Sequence, residues 1–227
     1  MKILDESRQE FVSNVSHELK TPMPSMKVIA ASLVGQTGVP EELNQEFMSD
    51  ITAEIDRENK IITDLLSLVK MDKKAADLNI AHMDINKLLE DILKRLRPIA
   101  DKRSIDLILD SFRPVEADVD EVKFTLAISN LVENGIKYNV DEGWVRVSLD
   151  ADHKYFYVTV ADSGMGIPQD SVDKIFERFY RVDKSHSKEI GGTGLGLALV
   201  KHIVLLHNAS LTLDSAPGVG TTITVRF

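Results

Sequence analysis

Two long apolar stripes of helical period open this chain, and they constrain its fold more than any other feature. Leu4, Phe11, Val15, Met26, Ile29 and Leu33 recur in steps of three, four and their sums, which predicts one helix over residues 1–35. The segment "GQTGVPEE" breaks the pattern: Gly35 and Gly38 are natural stops, and Pro40 suits a helix start. Leu43, Phe47, Ile51, Ile55, Ile62, Leu65 and Val69 then form a second stripe. Two helices joined by a short turn make an antiparallel hairpin. Neither has enough apolar surface on its other faces to close a core alone. Four helices from two chains would do so, and the expectation for 1–72 is a homodimeric four-helix bundle.

A polar stretch, "KMDKKAADLN", follows and reads as a hinge at 73–77. Beyond it the rhythm changes, so residues 78–227 form a second domain. Leu78 to Met83 reads as a short strand. Asp84 is placed to cap a helix with the face Ile85, Leu88, Leu89, Ile92, Leu96 and Ile99. "SIDLILDS" alternates as a strand, and Asp120 starts a helix carrying Phe124, Ala127, Ile128 and Leu131. "WVRVSLD" and "YFYVTVAD" face each other across "ADHK" as a hairpin, and "LTLDS" pairs "TITVRF" across "APGVG". A helix over 194–207 lies between the two hairpins. The whole chain is thus multidomain, α followed by α+β.

Charge and composition narrow the function. A formal net charge of -9 lacks the basic footprint of nucleic-acid binding. Without cysteine, disulfides and thiolate metal sites are excluded. No apolar run approaches the ~18 residues of a membrane helix. The chemistry lies in the polar motifs. "DSGMGI" (162–167), "GGTGLGL" (191–197) and "GVGTT" (218–222) each read singly as a turn. The middle one leads straight into an apolar helix, where glycines let backbone N–H groups approach a phosphate. It matches neither the dinucleotide fingerprint nor a P-loop. Asn130 and Asn134 are four apart and share a helix face. An Asn amide oxygen is a hard, neutral ligand for Mg2+, and Lys137 is within reach of a phosphate. Asp162 ends a strand at a glycine turn, where its carboxylate can accept from an exocyclic amine.

"VSHELKTP" (15–22) begins like a zinc-hydrolase helix, but Thr21 stands where the second histidine would be. His17 lies about 200° round the helix from Val15, away from the buried stripe. Glu18 is its neighbour, and Thr21 is about one turn on, on the same face. Pro22 and Pro24 each remove a backbone donor, which predicts a bend or local unwinding just beyond His17.

Together these segments resemble the kinase core of the sensor histidine kinases of two-component signalling. "FVSNVSHELKTP" is similar to that family's H box, "NLVENGIKYN" to its N box and "DSGMGI" to its G1 box. "IFERFYRVDKS" is similar to the F box, "GGTGLGLALVK" to the G2 box and "GVGTT" to the last glycine turn. They occur in family order over nearly the whole chain. The resemblance implies a Bergerat (GHKL) α/β sandwich with a mixed, mostly antiparallel sheet over 78–227, binding ATP and Mg2+. It implies Asn134 as the Mg2+ ligand, Asn130 and Lys137 near the phosphates, Asp162 on the adenine amino group and Tyr138 as a wall. Gly164 and Gly166 would let the chain pass the base. Gly192, Thr193, Gly194, Leu195 and Gly196 would frame the phosphates and hinge a lid at 182–193. Phe176 and Phe179 would anchor the lid or simply pack in the core. Arg181 would meet the γ-phosphate.

By the same resemblance His17 is the phosphoacceptor, Glu18 its general base, and Thr21 serves dephosphorylation of a partner response regulator. The implied partners are a second copy of the chain, through the hairpin, and a receiver domain. No nucleic acid is expected, and membrane contact only through segments upstream. The location implied is the cytoplasmic side of a membrane-bound sensor kinase. A Bergerat ATPase working by conformational change is one competing reading, and the hairpin carrying His17 argues against it; a non-enzymatic signalling scaffold, with Pro24 having disabled transfer, is the other.

Overall fold

The computed structural model of the protein describes residues 41–72, 78–182 and 192–227. His17, Glu18 and Thr21, the proposed bend at Pro22 and Pro24, the hinge at 73–77 and lid positions 183–191 lie outside the described residues. The chain divides into two units, Met1–Leu66 and Ser67–Phe227.

Helix α1 (Glu41–Asp72) carries the second stripe. Ile61, Leu65 and Leu68 are buried, whereas Met48, Ile55, Ile62 and Val69, spaced by seven, are exposed, with Leu66 beside them. The expected stripe held Ile55, Ile62, Leu65 and Val69 on one face. The structure splits it, because apolar residues one position earlier, at 61 and 68, turn a second face about 100° away. Among the described residues the helix thus has two apolar faces, one buried and one exposed.

The second unit begins with β1 (Ile80–Asp84) and α2 (Ile85–Asp101). Asp84 caps α2 as expected, its carboxylate accepting from the Lys87 N–H at 3.0 Å. The buried face of α2 is Ile85, Leu88, Leu89, Ile92, Leu93, Leu96 and Ala100. Ile99 is exposed instead, since Ala100 fills the inward position of the last turn. Next come β2 (Asp106–Ser111), β3 (Glu116–Asp120) and α3 (Glu121–Lys137). Then β4 (Trp144–Ala151), β5 (Phe156–Asp162), α4 (Gly196–Leu206), β6 (Ser210–Ala216) and β7 (Gly220–Arg226) complete the order. The sequence reading contained no β3. It pairs antiparallel with β1 as a separate two-stranded sheet, from Ile80 opposite Asp120 to Asp84 opposite Glu116.

The main sheet has five strands in the order β2-β4-β5-β7-β6. Only β2 and β4 run parallel; the other pairs are antiparallel, as expected for a mixed, mostly antiparallel sheet. Alternation sends Val145, Val147, Leu149, Val158, Val160, Ile223 and Val225 inward. Helix α2 covers β2, α3 covers β4 and β5, and α4 covers β6, so the sheet is roofed on one face by three helices. At one end Phe124, Phe156 and Phe227 cluster, Phe156 stacking on Phe227 at 4.9 Å. At the other end, a Cβ on Gly135 would lie 3.2 Å from Val145. That close approach brings the C-terminus of α3 to the start of β4 and the end of β5, where the glycine segments emerge.

Candidate functional site

Helical spacing puts Asn130, Asn134 and Tyr138 at successive turns of α3. Residues 192–196 lie along them. A Cβ on Gly196 would stand 2.6 Å from Asn130 Oδ1, and one on Gly192 would stand 2.5 Å from the Tyr138 hydroxyl and 3.7 Å from Lys137 Nζ. Asn130 is buried and donates to Leu126 O at 2.8 Å, which aims its amide oxygen at the first turn of α4. No side chain caps that turn. Its first N–H groups are the orphan donors that suit an anion. Gly194 has φ of 68°, and its carbonyl accepts from the Phe179 N–H at 2.8 Å. Phe179 itself sits at φ 65°, a costly conformation for a bulky residue. Thr193 is buried and its hydroxyl accepts from the Leu195 N–H at 3.2 Å. The Leu195 side chain is wholly buried, so only its backbone faces the loop.

The other two glycine segments meet at Asp162. Its Oδ1 accepts from the Gly164 N–H at 2.9 Å and from the Thr221 N–H at 3.2 Å. Both bonds fall on one oxygen, leaving Oδ2 for an incoming donor. Burial pushes the Asp162 carboxyl above its ordinary value, and the two N–H groups only partly offset this. A Cβ on Gly164 would be 2.4 Å from the Tyr138 carbonyl, which also accepts from the Met165 N–H at 3.0 Å. Gly166, at φ 69°, lies against Ala216 O, and the Gly218 N–H donates to Met165 O at 2.8 Å. "DSGMGI" and the turn before β7 are thus zipped together. The turn segment, which read as an ordinary hairpin, supplies Thr221 to the site.

Tyr138 joins the two halves: its hydroxyl faces Gly192 and its carbonyl faces Gly164. Burial raises its phenol pKa, and the positive charge of Arg181 works against that rise. Arg181 therefore lies close enough to act on Tyr138. Lys137 Nζ sits 5.8 Å from the Tyr138 ring centre. The Lys137 carbonyl is held by Arg103 Nη1 at 2.6 Å, an interaction with no signal in the sequence because Arg103 precedes β2. Asn134 is half-buried, and its side-chain amide forms no hydrogen bond among the described residues. An unengaged amide oxygen one helical turn from Asn130 fits one ligand of a Mg2+ ion. Among the described residues no cluster of three or more His, Cys, Asp or Glu exists to hold a metal. A cation here needs the oxygens of a bound phosphate, as Mg2+ commonly does.

The structure therefore brings Asn130, Lys137, Tyr138, Asp162, Gly164, Gly192, Gly194 and Gly196 to one end of the second unit, with Arg181 near Tyr138. Comparisons with known proteins agree with this architecture. Residues 119–227 match the family described as histidine kinase-, DNA gyrase B- and HSP90-like ATPase, and residues 7–74 match the His Kinase A (phospho-acceptor) domain. The sensor histidine kinase WalK of Bacillus subtilis is 35% identical over 224 residues, which cover 97% of this chain and 36% of that protein. The sensor-like histidine kinase SenX3 of Mycolicibacterium smegmatis is 35% identical over 224 residues, covering 99% of this chain and 58% of that protein. The chain thus spans between about a third and three fifths of these relatives. Among solved structures, the histidine kinase ThkA in complex with the response regulator TrrA matches with a TM-score of 0.79 at 20% identity, covering 96% of this chain and 60% of that one. The Acinetobacter baumannii histidine kinase AdeS matches with a TM-score of 0.74 at 21% identity, covering 93% and 96%. Both structural matches speak to the fold.

Proposed function

This chain belongs to the sensor histidine kinases of two-component systems, and from that premise we propose that it uses ATP to phosphorylate His17 and passes the phosphoryl group to an aspartate of a response-regulator receiver domain. The observation that carries the reading is the convergence on Tyr138. A phosphate-suited glycine loop and Lys137 lie on one side of it, and a half-buried carboxylate with a spare oxygen lies on the other.

In this reading the adenine amino group donates to Asp162 Oδ2, and Gly164 keeps the passage beside the base open. The triphosphate runs toward the start of α4, where uncapped N–H groups and Lys137 take its charge. Asn134 would hold a Mg2+ ion, which when bound neutralises charge on the phosphate oxygens. Arg181 meets the γ-phosphate. A ring nitrogen of neutral His17 attacks the γ-phosphorus in line; the N–P bond forms as the bond to the bridging oxygen breaks, and ADP leaves. Glu18 takes the proton from the other ring nitrogen, so no charge is stranded on the imidazole. Thr21 orients a water for the reverse duty, hydrolysis of the phosphoaspartate on the regulator.

The active form in this reading is a homodimer built through residues 1–72, of which α1 is the described helix. No helix among the described residues is long and apolar enough to cross a membrane; a position on the cytoplasmic side of a membrane is part of the same proposal. The test is incubation with γ-labelled ATP and Mg2+. Label that is acid-labile and alkali-stable, and lost in His17→Gln, is the expected result. Phosphate release without protein label would mean an ATPase driving conformational work instead.

A further inference from the structure

Asn139 follows Tyr138 directly, and Ser163 follows Asp162 directly. Neither is among the nucleotide contacts proposed above, yet they are bonded to each other. Asn139 Nδ2 donates to Gly135 O at 2.8 Å and to Trp144 O at 3.0 Å. Its Oδ1 accepts from the Val140 N–H at 2.9 Å and from Ser163 Oγ at 3.0 Å. Two donors and two lone pairs are thus fully used. Ser163 in turn accepts from the Trp144 N–H at 2.8 Å. The packing leaves no slack, since a Cβ on Gly143 would fall 2.2 Å from Asn139 Oδ1 and 2.7 Å from Ser163 Oγ.

One amide therefore ties three segments: the last turn of α3, the entry to β4 and the exit of β5. These are the segments whose relative position sets the distance from the Tyr138 backbone to the Asp162 carboxylate. Among the described residues the main chain adds the Met165 N–H to Tyr138 O bond between the two sides, and the Ser163 N–H donates to Trp144 O at 3.2 Å across β5 and β4. We propose that Asn139, acting with Ser163, is a positioning residue for base recognition, fixing Asp162 against Tyr138 so that the carboxylate meets the exocyclic amine of a bound adenine. This rests on the ATP reading of the site. Asn139 touches neither base nor phosphate; it acts through its neighbours. The phosphate half of the site, on Asn130 and the loop at 192–196, is reached by none of its four bonds, so the effect belongs to nucleotide capture and not to phosphoryl transfer.

The test is autophosphorylation kinetics of the full chain with Mg2+ and ATP. For Asn139→Ala the KM for ATP rises roughly five- to tenfold, the factor that goes with one net hydrogen bond of positioning, while kcat at saturating ATP stays within about twofold. An unchanged KM, or a fall in kcat with KM unchanged, would overturn the proposal, the latter marking a purely structural role. Should Asn139→Ala fail to fold, Ser163→Ala removes one strand of the brace, and a KM rise of about threefold is expected; no rise would overturn the proposal. Wild-type protein that takes no label from ATP would overturn the kinase reading and this proposal with it. Labelled wild type beside an unaffected Asn139→Ala would overturn this proposal alone.

Discussion

Asp162 holds the fold through one carboxylate oxygen and keeps the other spare for the proposed ligand. Burial raises its pKa, and two N–H groups on Oδ1 hold it in place. Two N–H groups occupy Oδ1, so protonation falls on Oδ2 and turns it from acceptor to donor; ATP affinity is expected to fall as pH drops through this raised value, above the ordinary carboxylate value of 3.8. Isothermal titration across pH checks this. Asp162→Asn is expected to bind ATP about ten- to a hundredfold more weakly at neutral pH and to lose the acid limb. The sign for stability is opposite. A carboxyl whose folded pKa is raised favours folding in acid, and that contribution is lost as pH rises through the folded value. The position of Asp162 was legible because a strand-ending Asp before a glycine turn is a local pattern. Its partner Thr221 was not, because a turn residue fifty-nine positions away reaches it only through the β5–β7 pairing.

Asp120 belongs to the scale of elements, since it joins three of them. Its carboxylate caps α3 through the Lys123 N–H at 2.9 Å, pairs with Lys123 Nζ at 2.6 Å and accepts from the Asn79 N–H at 2.9 Å. Its own N–H donates to His207 Nε2, just past α4, at 3.2 Å. Burial pushes its pKa up, but Lys123 and the N–H donors prevail and leave it below its ordinary value. The stability it contributes is therefore present above 3.8 and lost as pH falls through the depressed folded value. Urea unfolding should show Asp120→Ala destabilised by about 2–3 kcal/mol near neutral pH, from a lost cap and a stranded backbone donor. The difference from wild type should shrink in strong acid. Both caps, Asp84 and Asp120, were readable because a cap acts on a residue three positions away. Strand β3 was not, because Glu116, Asp118 and Asp120 look like turn residues until β1 pairs with them.

At the scale of the whole molecule, the second face of α1 remains. Met48, Ile55, Ile62 and Val69 repeat every seven residues and stand exposed, which is the seam of a helix awaiting a parallel or antiparallel partner. If the homodimer is built there, Ile62→Asp should weaken self-association by roughly a hundredfold or more, since each site is used twice. Light scattering after size exclusion would show a monomer that retains ATP binding. The need for this partner was legible in the stripe itself; its division into two faces was not, because period alone does not say which apolar neighbour turns inward.

The interlock of Asp162 with the turn before β7 also sets an order in time. His17 precedes Thr221 in the chain, so a ribosome makes it first. Until Thr221 emerges, a growing chain that already holds the proposed acceptor lacks the last backbone donor of the proposed adenine pocket. On the proposed reading, half-made copies hold a target and no finished means of charging it, and the charging site is complete only when β7 has paired with β5.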